Sequence, residues 1–385
     1  MAGSRHPALV FFVCFFAIAA PAIGQVITDD PARIGQTFTY LTWNLEGDST
    51  DATVSEWVLP LSGMVPLAEN TEFRYYTALA GAKASRNKFD RDLSGLTDTR
   101  VQVTRSFAGD RFLVSLGVSI PTGQKKLTSD EFEVLRVISA EQFNFPLKTF
   151  GQGVGAYSEI LGVTEAGSWI LGAGAGALYN GSYNPTDNDV SYRPGIRLYL
   201  TGSAQLANDE RSPNSLRFDG VLVLSGADEA DGKQVFRDGM QVDLSAGGMH
   251  RFDPWFTGVD LRLILRGKDK RLSDQSVLAA ERYASSGSEF RGVLRLGRAM
   301  SDNVAGFVDV STKFITANSF PGSDPAYEGA ASLYGVGGQV SGRFSDHAAV
   351  GLGLRKWLGQ TDEGGQTEAL DLSGLEIWQR ITITF

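Results

Sequence analysis

The chain has 385 residues, 42% of them apolar and 21% charged, with a formal net charge of −9. An acidic balance argues against nucleic acid as a partner, and a single cysteine excludes a disulfide framework and thiolate metal sites. After residue 24 no apolar run reaches the roughly 18 residues of a spanning helix, so the chain is either soluble or meets a membrane through alternating strands, which average out in any hydropathy sum.

The first residues read as an address. Arg5 and His6 precede the apolar run 8–20, Pro21 breaks it, and Ala22-Ile23-Gly24 places small residues where a signal peptidase reads. Residues 1–24 are therefore expected to be a secretory signal peptide cut before Gln25, leaving 25–385 as one domain. Cys14 lies inside the run, which argues against a lipoprotein, and its removal leaves no cysteine.

After an irregular lead-in at Asp29, Asp30 and Pro31, period-two segments follow in quick succession. They fall at 37–43, 54–66, 71–84, 99–107, 111–120, 156–163, 168–179, 193–206, 216–225, 235–252, 255–268, 289–298, 304–316, 333–344, 348–358 and 372–385. Tight turns (69–70, 108–110, 253–254, 301–302, 345–346) alternate with longer polar loops (85–98, 121–152, 181–189, 228–232, 272–282, 321–325, 362–368). Even-numbered strands with short turns at one end and long loops at the other predict an all-β fold, a transmembrane antiparallel up-and-down β-barrel of about 16 strands (14–16), with a short helix in one long loop. A Greek-key sandwich has no reason to keep that rhythm.

The faces agree. Phe112, Val114, Leu116, Val118 and Ile120 oppose Leu113, Ser115, Gly117 and Ser119. Val259, Leu261, Leu263 and Leu265 oppose Asp260, Arg262, Ile264 and Arg266, and Val308, Val310 and Phe314 oppose Asp309, Ser311 and Lys313. Periodicity alone leaves inside and outside undecided, and the signal segment, the loop rhythm and the last strand favour apolar-out. That strand puts Leu375, Ile377, Ile381, Ile383 and Phe385 on one face. Phe385 resembles the terminal aromatic read by the barrel assembly machinery, and is expected to be an assembly signal.

On the polar faces, Arg74, Arg100, Arg197, Asp260, Arg262, Arg266, Asp309, Lys313 and Arg380 are the candidate pore-lining residues. Mixed signs predict ion pairs across strands, with either a structural role or a charge-selective constriction. The 121–152 excursion carries a capping box, Thr128 with Glu131, before Phe132, Leu135 and Ile138 at helical spacing, then Phe143, Phe145, Pro146 and Phe150. Phe132, Leu135, Ile138, Phe143 and Phe145 are the candidate constriction loop. A helix over the rim, or a loop packed on itself, reads the same way. Glycines 172, 174, 176, 335, 337, 351 and 353 share one face, which marks either barrel curvature or close approach by that excursion.

The stretch Ser94-Gly95-Leu96-Thr97-Asp98-Thr99-Arg100, with Val114 to Pro121-Thr122-Gly123, resembles an outer-membrane barrel family, the meta-pathway phenol-degradation type, over roughly residues 55 to 200. The resemblance implies outer-membrane location and uptake of small, often apolar molecules. It carries over no catalytic, metal or cofactor residue, and no large N-terminal plug is expected.

The expected function is an outer-membrane channel for passive uptake of small solutes, aromatic or apolar ones among them. A structural or adhesion barrel without transport is the alternative. An outer-membrane hydrolase is a third reading, with His250 and His347 in no catalytic constellation and no cofactor implied. Expected partners are outer-membrane lipid, lipopolysaccharide, the assembly machinery and a small-molecule solute. The acidic loops (Asp228, Glu229, Asp231; Asp362, Glu363) suit either divalent cations at that surface or plain solvent.

Overall fold

The computed structural model describes residues 33–86, 89–187, 190–206, 214–273, 277–365 and 368–385. The expected signal segment 1–24, its cleavage before Gln25 and the lead-in at Asp29, Asp30 and Pro31 lie outside them.

The large sheet is built from strands β1 (Arg33–Glu46), β2 (Asp51–Ala68), β3 (Thr71–Arg86), β4 (Phe89–Leu96 continued as Thr99–Phe107), β5 (Phe112–Ile120), β6 (Gly155–Ala166), β7 (Trp169–Asn180) and β8 (Arg197–Leu206). It goes on through β9 (Asn214–Ser225), β10 (Gln241–Phe252), β11 (Trp255–Arg266), β12 (Glu289–Ser301), β13 (Val304–Ile315), β14 (Ala331–Ser345), β15 (Ala348–Thr361) and β16 (Leu370–Thr384). The two parts of β4 both pair with β3, so the 17 sheet segments make sixteen strands, one of them kinked. Each strand pairs antiparallel with its chain neighbours, and β16 returns to β1, with Arg33 opposite Thr384 and Glu46 opposite Asp371. The sheet has no edge. It is the expected closed up-and-down barrel, with one helix, α1 (Ser129–Ile138), in the connection after β5.

The loop rhythm holds with exceptions. Connections are short at one end, as at 167–168, 253–254 and 346–347, and long at the other from 121–154 onward. At that second end, however, β1 and β2 are joined by 47–50, and β3 and β4 are separated by two positions. Within 85–98, expected as a polar loop, 85–86 and Phe89–Leu96 are instead strand: Lys83 pairs with Asp92 in register and its ammonium meets Asp90 at 2.7 Å, a cross-strand pair. Above the long-loop end, Tyr192–Arg193, Asp228–Ala230, Lys233–Arg237, Lys270–Leu272 and Leu278–Ala280 form a second, five-stranded sheet.

The faces sort as an inside-out protein. Leu261, Leu265, Leu294, Leu296, Val308, Val310, Val336, Leu352 and Leu354 are exposed on the outer surface, whereas Glu289, Asp309 and Lys313, on the opposite faces of β12 and β13, are buried within. Long aliphatic side chains left in contact with the surroundings over a whole cylinder mean that the surroundings are expected to be apolar.

Closure of the cylinder is testable by cross-linking. Tyr40 lies directly opposite Ile377 across the β1–β16 seam. With Cys14 replaced by Ser, the pair Tyr40→Cys/Ile377→Cys is expected to form a disulfide in the folded protein. Tyr40→Cys/Ile381→Cys, four residues out of register, is not. Equal cross-linking of both pairs on non-reducing gels would contradict a closed seam in this register.

Candidate functional site: the barrel interior

The 121–152 excursion is pinned at both ends by one residue. Residues 97 and 98 interrupt β4, since Tyr76 pairs with Arg100 but Leu79 with Leu96, one residue out of step. At this bulge Thr97 bonds back to Ala78, its hydroxyl accepting from the Ala78 N–H at 2.8 Å. Asp98 is thereby aimed at the excursion. Its carboxylate accepts from Gly123 N–H (3.0 Å) at the start, and from Gln152 N–H (2.7 Å) and Gly153 N–H (3.1 Å) at the end. Gly123 has no room for a side chain, because a Cβ would lie 2.2 Å from the Phe150 carbonyl oxygen. Thr122 hydroxyl donates to Thr97 O (2.9 Å) and accepts from Thr99 N–H (2.9 Å). The two motifs that carried the family resemblance thus touch each other.

Between the pins the chain turns into the barrel. Thr128 caps α1, accepting from Glu131 N–H (3.3 Å), while Glu131 accepts from Thr128 N–H (2.8 Å). Burial pushes the Glu131 carboxyl up. The hydrogen bonds from Thr128 and from the Gln124 amide (2.7 Å) outweigh it, leaving it below its ordinary value. The packed stripe of α1 is Val134 and Ile138, with Leu135 beside it. Phe132, expected on that stripe, is 41% exposed, because a spacing of three and then three drifts off a face of period 3.6. Phe143, Phe145 and Phe150 are buried.

The docking partners lie on strands far apart around the wall. Trp43 Nε1 on β1 donates to Phe143 O at 2.7 Å, and its ring meets Phe143 at 6.0 Å and Trp357 of β15 at 6.4 Å. Leu147 N–H donates to Glu56 Oε2 on β2 at 3.2 Å. Lys313 Nζ on β13 donates to Asn144 Oδ1 at 2.8 Å and to Glu141 O. Arg266 on β11 meets the Glu141 carboxylate at 3.2 Å. The segment therefore lies within the cylinder, not over its rim or on itself.

It occupies one side. The inward residues of β1 to β3 against it are buried: Leu41, Trp43, Leu45, Val54, Glu56, Val58, Ala78, Ala80 and Ala82. On the far side, β7, β8 and β10 hold no buried residue and β9 holds only Ser225. Small inward residues, Gly172, Gly174, Gly176, Thr201 and Ser203, face that side.

The charged candidates form pairs along the wall. Arg74 meets Glu72 (2.7 Å), Arg262 meets Asp243 (2.5 Å), and Asp260 meets Arg295. Asp309 and Glu376 share Arg355 (2.9 and 3.0 Å), whose guanidinium lies 5.3 Å from the ring centres of both Trp357 and Trp378. Glu289 takes Arg291, with Arg266 and Lys313 each at 3.6 Å. Arg197 meets Asp238 (3.2 Å) at the long-loop end, Arg100 lies in electrostatic reach of Tyr76 and Tyr157, and Arg380 is exposed on the inner face between Thr37 and Gly351. Phe385 follows β16 and is exposed.

Several key residues were not singled out in sequence. Glu56 is one: its Oε1 is buried without a partner among the described residues, and the signal was a lone carboxylate between Val54 and Val58 on an inward face. Trp43, Trp357 and the staple role of Asp98 are others. The glycine face is not covered by the excursion. A Cβ on Gly353 would meet the Trp378 ring at 2.2 Å, and Gly174, Gly335, Gly337 and Gly351 likewise lie under side chains of neighbouring strands. His250 sits on an outward position, 2.6 Å from Asn214 and stacked on Phe252, and His347 lies in a short turn. Among the described residues no group of three or more His, Cys, Asp or Glu could hold a metal ion.

No protein-family model matches the chain, and no curated protein matches it. Solved structures resemble its trace. A FadL homologue of Pseudomonas aeruginosa has 9% identity and a TM-score of 0.47, covering 93% of this chain and 91% of its own. OprB of Pseudomonas putida has 9% identity and a TM-score of 0.47, covering 93% and 94%. An outer-membrane channel of Pseudomonas putida F1 has 9% identity and a TM-score of 0.40, covering 96% and 100%. The barrel itself rests on the strand pairing, not on these likenesses.

Asp98→Ala removes the acceptor of three backbone N–H groups, each bond to a charged group being worth about 1.5–3 kcal/mol. The expected result is an assembled barrel whose 121–152 segment has become sensitive to added protease. Unchanged resistance of the segment would rule out the staple role of Asp98.

Proposed function

We propose that this protein is an outer-membrane channel through which small solutes pass along one side of an inserted segment. The supporting observation is the uneven interior, packed solid against β1 to β3 and lined by small or half-buried residues along β7 to β10. A protein whose interior served only to stabilise the fold would fill both sides alike.

The outer surface supports the membrane reading. Around the short-turn end stand exposed Phe107, Phe112, Phe218, Phe252, Trp255 and Phe344; towards the other end stand Tyr179, Phe290 and Tyr334. Aromatic girdles flank the apolar band of outer-membrane barrels. On β12 the outward residues from Phe290 to Arg298 span eight steps, about 26 Å along the strand at ~3.3 Å per residue. A tilt of about 40° reduces this to about 20 Å, close to the ~25 Å band. Arg298 marks the lower edge, its guanidinium 5.3 Å from the Trp255 ring centre.

Aromatic or apolar molecules are the solute class we favour. Beside the less filled side, half-buried Val163 on β6 and Val221 on β9 pack on the buried Leu113 and Leu161 as a small apolar patch, and Tyr157 of β6 donates to Gln102 (2.9 Å). Beside Val221, Arg217 is paired with Asp219 at 2.7 Å. Membership of the phenol-degradation type is part of this proposal and rests on the touching motifs at 94–100 and 114–123.

Two substitutions test the reading. Ser203→Trp, opposite Gly172, puts bulk on the less filled side and is expected to lower single-channel conductance in planar bilayers while the barrel still assembles. If wild type does not conduct, the structural or adhesion barrel becomes the better reading. Leu263→Arg on the outer face should impair assembly by about 2–4 kcal/mol near mid-height, with Arg262→Gln on the inner face assembling normally. Heat-modifiable gel migration of outer membranes separates the two, and equal tolerance at both positions would count against the lipid-facing orientation.

A further inference from the structure

The ribbon of β10 and β11 keeps one register beyond the barrel. Gln241 pairs with Arg266, Gly267 N–H donates to Met240 O at 2.8 Å, and Arg237 pairs with Lys270 in the five-stranded sheet. This continuity sets two cations side by side on adjacent strands, an arrangement that like charges oppose. Lys268 joins them. Arg237, Lys268 and Lys270 line one cavity of about 120 Å³, together with Asp238, Met240 and the end of β9.

The three charges lack counter-charges. Arg237 Nε donates to Ser225 O (2.7 Å) and Lys268 Nζ to Arg282 O (2.8 Å), which satisfies a donor but neutralises nothing. Among the described residues, none of the three stands in an ion pair, whereas nearby Arg193 has Glu229 at 2.6 Å and Arg271 has Glu281. The lining carboxylate, Asp238, is held by Arg197 at 3.2 Å. Asp269 accepts from Gly239 N–H (2.7 Å) and the Ser285 hydroxyl (2.8 Å). Burial pushes the Asp238 carboxyl up, with Asp228 and Asp269 adding to it against the pull of Arg197.

We propose that the cavity formed by Arg237, Lys268 and Lys270 binds a phosphate-class oxyanion. The three cations that line it, from two strands and a loop, suit a tetrahedral group with several acceptor oxygens and close to two charges. A carboxylate brings two oxygens and one charge. The Arg237 guanidinium adds a planar fork suited to phosphate. The cavity's volume of about 120 Å³ leaves room for one such group. Two sources carry this chemistry: a phosphate on a membrane lipid headgroup, and free phosphate or a phosphoester at the channel mouth. Met240, 53% exposed beside Leu224 of the outer face, puts apolar surface next to the cations, as a lipid needs.

The test uses the whole barrel refolded in detergent free of lipopolysaccharide. Calorimetric titration with inorganic phosphate, and native mass spectrometry with intact or dephosphorylated lipopolysaccharide, are run on wild type, Arg237→Gln/Lys270→Gln and the charge-keeping Lys270→Arg. The expected result is a tenfold or greater loss of phosphate affinity, or loss of phosphate-dependent lipid retention, in the double variant, with Lys270→Arg retaining it. Loss in the calorimetric arm alone assigns the site to a soluble anion, and loss in the lipid arm alone to a headgroup. Binding that is absent in wild type, or unchanged in the double variant in both arms, overturns the proposal. The lipid arm rests on the outer-membrane reading. Conductance of the wild type in planar bilayers, measured without phosphate, reports the transport reading separately.

Discussion

A sheet with no edge is the constraint on which the rest of this molecule depends. Sixteen strands can expose their apolar faces only because paired ladders on both sides take up their backbone donors and acceptors, and the seam between β1 and β16 supplies the last row, from Arg33 opposite Thr384 to Glu46 opposite Asp371. Closure also creates an interior that side chains of the wall alone cannot fill at this strand number. Both consequences follow from the hydrogen-bonding of the backbone. The side chains then decide what the interior contains.

Two kinds of filler share that interior. Along much of the wall, carboxylates and guanidinium groups alternate across strands, so that Asp243 and Arg262, Asp260 and Arg295, or Asp309, Arg355 and Glu376 neutralise one another. Against β1 to β3 the filler is covalent: an excursion of the chain carrying Val134, Ile138, Phe143 and Phe145 into an apolar cluster with Leu41, Trp43 and Val58. The excursion stays there because its two ends are joined at Asp98, so the long loop behaves as a closed unit with little entropy left to lose. Glu56 is the exception in that cluster, a buried carboxylate with one N–H donor and one unanswered oxygen. A group so poorly matched costs stability unless it is protonated or reached by water.

Much of the architecture was legible along the chain. The strand count, the helix cap at Thr128 and Glu131, and the sorting of Val308 and Val310 from Asp309 and Lys313 all depend on period or on contacts a few residues apart. The expectations that failed are informative. The stretch 85–98 looked like a loop because of its charges, yet Phe89–Leu96 is strand, with Asp90 meeting Lys83 of β3 and Arg91 meeting Asp130 of α1. Phe132 looked like part of a packed stripe, and the true stripe, Val134 and Ile138, has the spacing of four that a helix face requires. The glycines left barrel curvature and close approach by the excursion both open, and they accommodate Trp357, Trp378 and Leu161 from adjacent strands rather than the excursion.

By itself the sequence determined which residues share a face, since alternation along a strand assigns parity without reference to any partner. It also determined where the helix begins and which residues carry charge. Parity cannot say which face is inner, and no local pattern records that Trp43 meets the Phe143 carbonyl across a hundred residues, or that Lys313 reaches Asn144. Those contacts exist only once the cylinder has closed and brought β1, β2 and β13 around the same space. Closure therefore decided the side on which the interior fills and the side on which it is left less crowded.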